Sequence, residues 1–193
     1  DHLEILSGLS EGEEVVTNGT LLIDGQAEMN RSYSSTPTKT DAPTATLTPE
    51  KISSISAFLE TADAMSAALA ADDLAAFNAA SEPAMMKAGD LVEKLKGTAP
   101  EDELEALNSS RHFHGFEDLP AARAAYLPFS MAAQSILEPI RTAENFPAMK
   151  IFECPMVNQA VPGAEKKGRW IQTGDRPIRN PYFGAEMLTC GKE

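Results

Sequence analysis

Residues 48–140 constrain the fold most, because their apolar side chains recur at helical spacing and are interrupted by strong start and stop signals. Thr48-Pro49-Glu50 supplies a capping hydroxyl, a proline at the first helical position and an acid in the first turn. Ile52, Ile55, Leu59, Ala62, Met65 and Leu69 then fall on one stripe. Asp72 or Asp73 can cap a second helix with Leu74, Phe77, Met85, Ala88, Leu91, Val92 and Leu95 on one face. Pro83 should kink or split that helix, and Gly97 should end it. Thr98-Ala99-Pro100-Glu101 opens a shorter third helix carrying Leu104 and Leu107. Asp118-Leu119-Pro120 opens a fourth, with Ala122, Tyr126, Phe129, Ala133, Ile136, Leu137 and Ile140 inward and bends expected at Pro128 and Pro139. Four amphipathic segments with short connections predict a mainly α domain, an up-down helical bundle.

The last stretch, 147–193, reads differently. Lys150-Ile151-Phe152 predicts a strand leading to Cys154, and Arg169-Trp170-Ile171-Gln172 predicts another. A loop over 161–168 lies between them. Asn180-Pro181-Tyr182-Phe183-Gly184 reads as a turn, and 185–188 as one helical turn presenting Met187 near Cys190. The fold class is therefore mainly α with a short α+β C-terminal segment. The two cysteines of the chain, Cys154 and Cys190, both fall here, each with a methionine nearby: Met156 and Met187. Thiolate and thioether ligands select soft monovalent ions such as Cu(I) or Ag(I). Two cysteines in an exported chain also commonly form a disulfide, and methionine is an ordinary core residue. Residue types alone leave both readings open, since a 35-residue gap fixes no geometry.

Upstream, Leu3–Leu6, Glu14–Thr17 and Leu21–Asp24 read as three short strands, with Asn18-Gly19 as a hairpin dipeptide. Residues 31–48, rich in Ser, Thr and Pro, read as a flexible linker. The domain organisation expected is thus 1–30, 31–48 and 49–193. The chain starts at Asp1 rather than Met, which predicts a fragment or processed product with any export signal upstream. There is no run of eighteen apolar residues to cross a membrane.

Net charge is −13 and uneven. Residues 49–146 carry sixteen acids against seven bases, whereas 147–193 carry seven bases against five acids. Such acidity argues against nucleic acid and anionic membrane as partners. No nucleophile elbow, phosphate loop, dinucleotide fingerprint or His-Glu-x-x-His occurs, so nothing predicts an enzyme. His112 and His114, two apart, can ligate together only from a loop or extended backbone; otherwise they are ordinary exposed histidines.

The order Cys154-Pro155-Met156, Trp170, Ile178-x-Asn180-Pro181-Tyr182-Phe183-Gly184-x-x-Met187-x-x-Cys190-Gly191 resembles the C-terminal signature of a small domain on some CusB-type adaptors. These are periplasmic membrane fusion subunits of heavy-metal efflux systems of the resistance-nodulation-division class. Residues 3–29, with Gly-Leu-x-x-Gly-x-x-Val-Val-x-x-Gly, resemble the closing strands of the membrane-proximal β domain of membrane fusion proteins. The resemblance implies a periplasmic location and binding of Cu(I) or Ag(I) through Cys154, Met156, Met187 and Cys190, with His112 as a further candidate ligand. It implies an inner-membrane pump and an outer-membrane channel as partners, and a periplasmic metallochaperone as a donor. Trp170, Asn180, Pro181, Tyr182 and Gly184 would be framework.

Overall fold

A computed structural model describes residues 47–193 of the chain. The strands expected within 1–30, and the linker up to residue 46, lie outside the described residues. The order of elements is α1 (Pro49–Ala70), α2 (Leu74–Ser81), α3 (Ala84–Leu95), α4 (Glu101–Ser110), α5 (Leu119–Leu137), β1 (Met149–Cys154), α6 (Val157–Ala160), β2 (Gly168–Thr173) and a 3₁₀ turn, Gly184–Glu186. The described part is thus mainly helical, with one small antiparallel sheet. No helix in it is long and apolar enough to cross a membrane.

The caps act as their chemistry requires. The Thr48 side chain accepts from the Lys51 N–H at 3.4 Å. Asp73 accepts from the Ala76 N–H at 2.8 Å, and Asp118 from the Ala121 N–H at 2.7 Å. Each satisfies one of the backbone donors that a helix start leaves open. Of the two candidate caps for α2, Asp73 is the one used. Asp72 sits in the left-handed region at φ 57° and turns its carboxylate elsewhere.

Pro83 splits the expected second helix into α2 and α3. The break also resets the buried face. Ala84, Ala88, Leu91 and Leu95 point inward on α3, while Met85, expected on that face, is 46% exposed, and Met86 is more exposed still. The inward residues expected for the fourth helix are all buried on α5 or just beyond it. That helix continues through Pro128 and stops two residues before Pro139.

Helix α1 is the centre. It packs against α2 and α3 on one side and against β2 on another, while α5 contacts α4 and β2. Covered from several sides, α1 buries Ser54, Phe58, Thr61 and Ser66 as well as the predicted stripe from Ile55 to Leu69, while Ile52 at its start is half-buried. Leu47, two residues before α1 and inside the stretch expected to be linker, is also buried in this core. An aromatic train (Phe77, Phe113, Phe129, Tyr126, Tyr182, Trp170) continues the helical core into the C-terminal segment, with neighbouring ring centroids 5.3–6.3 Å apart. Such offset and edge-on pairs add about 0.5–1.5 kcal/mol each beyond their burial.

The hairpin β1–β2 pairs Met149 with Thr173 through to Cys154 with Gly168, and Phe152 stacks on Trp170 across the strands at 5.6 Å. Its two rows of side chains have different partners. In one row, Arg169 reaches Gln134 of α5 and Glu138 just beyond it, and Thr173 reaches Asp63 of α1. In the other, Gln172 donates to the carbonyls of Arg176 and Pro177, and Trp170 lies against Gly191. A two-stranded sheet alone is marginal in water. Here the helices and the residues that follow β2 supply the cover.

Candidate metal centre

Cys154 ends β1 and is fully buried. Met156, half-buried, precedes the short helix α6. That helix falls just ahead of the loop expected at 161–168 and was not foreseen; four residues are too few for periodicity to register. On the terminal segment Cys190 is half-buried. Its N–H donates to the Met187 carbonyl at 3.0 Å, which puts Met187, 36% exposed, on the same turn. The helical turn expected over 185–188 occurs as the 3₁₀ turn Gly184–Glu186, one residue earlier.

Three features bring the two cysteines together. First, Glu153 and Lys192 form an antiparallel bridge, with N–H···O distances of 2.8 and 3.1 Å, so the chain at Cys154 runs beside the chain at Cys190 and Gly191. Second, Gly191 has φ +146°, and a Cβ there would lie 2.8 Å from Trp170 and 3.1 Å from the Glu153 carbonyl. Only glycine allows this approach without displacement. Third, Asn180 clamps the segment. It is fully buried; its Nδ2 donates to the Cys190 carbonyl at 2.7 Å, and its Oδ1 accepts from the N–H groups of Tyr182 (2.8 Å) and Phe183 (3.3 Å). Its backbone N–H donates to the Leu188 carbonyl at 2.7 Å.

The thiols are electrostatic neighbours. Burial raises the pKa of Cys190, and the adjacent Cys154 raises it further, both by its charge and as a hydrogen-bond partner. Tyr182, whose hydroxyl donates to the Arg169 carbonyl at 2.7 Å, is pushed well above the ordinary tyrosine range, first by burial, then by Tyr126 and Cys154. The floor of the site is therefore dry and aromatic. Both cysteines are free thiols.

His112 and His114 stand in the loop between α4 and α5. Both are exposed, with rings roughly parallel and 6.4 Å apart. Among the described residues no three His, Cys, Asp or Glu side chains are grouped to hold an ion, so neither histidine completes a trio with the two cysteines. Met65 is buried in the core, and the Met131 sulfur accepts from the Arg169 N–H at 3.2 Å.

The residues that hold the segment in place include several that the sequence does not advertise. Asp63 on α1 accepts from the Thr173 N–H (3.1 Å), the Thr173 hydroxyl (2.9 Å) and the Arg176 guanidinium. Asp72 accepts from Arg123 and from the Ala185 N–H at 2.9 Å. Gly184, at φ +57°, leaves room for that carboxylate, which a Cβ would overlap. Arg123 also donates to the Pro181 carbonyl at 3.0 Å. These pairs are separated by 51 to 113 residues in the chain, and no local pattern signals them.

No family model matches the chain, and comparisons with curated proteins and with solved structures likewise found no match.

Proposed function

We propose that residues 47–193 form the soft-metal-binding domain of a periplasmic heavy-metal efflux adaptor, taking Cu(I) or Ag(I) on sulfur for export. The observation that carries this reading is the pairing of the only two thiols of the chain on a framework locked by Asn180, Gly191 and the Glu153–Lys192 bridge. Thiolates prefer such ions, and a neighbouring methionine on each segment offers a thioether. The ligands in this reading are Cys154 and Cys190, assisted by Met156 and Met187. The affiliation with CusB-type adaptors is carried by the signature residues from Cys154 to Gly191 alone. We also read the helices as an up-down set in which β2 occupies the gap between α1 and α5.

The chemistry is ligand exchange. Low-coordinate sulfur sites accept an ion from a periplasmic metallochaperone and release it to the inner-membrane pump, working with an outer-membrane channel, each new metal–sulfur bond replacing one that breaks. Burial favours the neutral thiol of Cys190, whereas a bound cation favours thiolates, so uptake releases protons. The test is an anaerobic Cu(I) titration of reduced protein against a competing chelator. About one tightly held ion per chain, abolished by Cys154→Ser and weakened by Met156→Leu or Met187→Leu, supports the reading. Reduced protein that ignores Cu(I) refutes it.

One observation favours a second reading. Cys154 is fully buried beside Cys190, a position suited to a permanent disulfide that pins the terminal segment of a purely structural or interaction module. Thiols that react only after denaturation with reductant would support this alternative.

A further inference from the structure

The two sulfurs of the site are unequal. Cys154 is closed off at the end of β1, whereas Cys190 is partly open on the terminal segment. The backbone beside each is held by hydrogen bonds that involve neither sulfur: the Glu153–Lys192 bridge and the Asn180 clamp on the Cys190 carbonyl. Joining the sulfurs therefore leaves this scaffold in place, and so does parting them. A permanent staple is needed where nothing else fixes a segment. Here the segment is already fixed, which leaves the pair free to cycle.

We infer that Cys154 and Cys190 form a reversible thiol–disulfide couple that gates the site: the dithiol takes a soft monovalent ion and the disulfide refuses it. The gating half rests on the metal reading above; the couple itself does not. In the oxidising direction, the Cys190 thiolate attacks one sulfur of an external disulfide. A mixed disulfide forms, and one external thiolate leaves and takes up the proton that Cys190 lost. Cys154 then gives up its proton and attacks the Cys190 sulfur, displacing the second external thiol. Two protein thiols are oxidised to one disulfide, one external disulfide is reduced to two thiols, and no proton is gained or lost overall. An external dithiol reverses the sequence. Exposure makes Cys190 the entry sulfur and Cys154 the resolving one. Oxidation removes both thiolate ligands at once, so ion and disulfide exclude each other, and a bound ion protects the dithiol by the same factor.

The test equilibrates the whole chain in buffers of graded reduced-to-oxidised glutathione ratio, with alkylation and mass measurement of the free thiols. The expected result is a two-electron transition that a dithiol reductant reverses in the native protein. Cys154→Ser should accumulate one glutathione on Cys190, while Cys190→Ser should stay unmodified at Cys154. Cu(I) affinity should fall by about 100-fold or more on oxidation and recover on reduction. Thiols that stay free at every glutathione ratio overturn the couple, as does a disulfide that native protein does not release to a dithiol. A disulfide form that binds Cu(I) as tightly as the dithiol overturns the gating. A reversible transition in a protein that ignores Cu(I) in both states sinks the metal reading and leaves the couple standing.

Discussion

Replacing Asn180 is the sharpest test of how the terminal segment is held. Asn180 is fully buried and makes three side-chain hydrogen bonds, one donated to Cys190 and two accepted from Tyr182 and Phe183. Asn180→Ala leaves one carbonyl and two N–H groups without their partner. A buried group left unsatisfied costs about 1–3 kcal/mol, and partial access of water to the Cys190 end places the sum at about 3–4 kcal/mol. For a domain of this size that lowers Tm by roughly 6–15 °C. Asn180→Asp separates the two halves of the clamp. A carboxylate still accepts from Tyr182 and Phe183 but now faces the Cys190 carbonyl, 2.7 Å from the present Nδ2, with no proton to offer. It should keep the turn and free Cys190. Urea unfolding followed by the emission of Trp170, the single tryptophan and a buried one, measures the first effect. The rate of Cys190 alkylation in native protein measures the second, expected to rise several-fold in the Asp variant. A loss below about 1 kcal/mol for the Ala variant, or an unchanged alkylation rate for the Asp variant, would refute the clamp.

Further outcomes follow from other contacts. Asp63→Ala removes the acceptor shared by Thr173 and Arg176 and should cost about 2–3 kcal/mol, with Asp63→Asn losing less because it can still accept from Thr173; equal losses in urea unfolding would contradict this. Gly191→Ala combines a disfavoured φ with a close approach to Trp170 and should cost about 2–3 kcal/mol and shift Trp170 emission, whereas an unshifted spectrum would count against the packing. Burial opposes ionisation of Glu153, but Arg169 and Lys167 outweigh it and hold its pKa below the usual carboxylate value. A depressed folded-state pKa contributes stability above the unfolded value that is lost as pH falls through the folded one. Glu153→Gln should therefore flatten the acid limb of the stability profile below about pH 4.5, and an unchanged limb would refute the role. Since Cys190 is raised by burial and by Cys154, its alkylation in native protein should reach half-maximal rate at higher pH than in unfolded protein, and Cys154→Ser should lower that midpoint.

Much of the helical part was legible because its signals are local. Thr48, Asp73 and Asp118 cap helices through atoms three residues away, and the stripes of α1, α4 and α5 need only a period of 3.6. The two strands were visible for the same reason. Met85 shows where local reading stops: it fits the stripe drawn through Pro83, but the break rotates the following helix and turns Met85 outward. The short helix α6 and the buried role of Leu47 are below what a pattern of that length can report.

By itself, the sequence determined the helix starts at Pro49, Leu74, Glu101 and Leu119, the two strands, and the presence of two cysteines with a methionine near each, since these depend on side-chain types within a few residues of one another. Tertiary structure alone decided that Cys154 and Cys190 are neighbours, that Asp63 and Asp72 hold Thr173 and Ala185 from more than a hundred residues away, and that His112 lies in an exposed loop. The reason is physical: a 35-residue gap leaves two thiols free to be anywhere within reach of the chain, and only the closed packing of Trp170, Asn180 and Gly191 selects one arrangement.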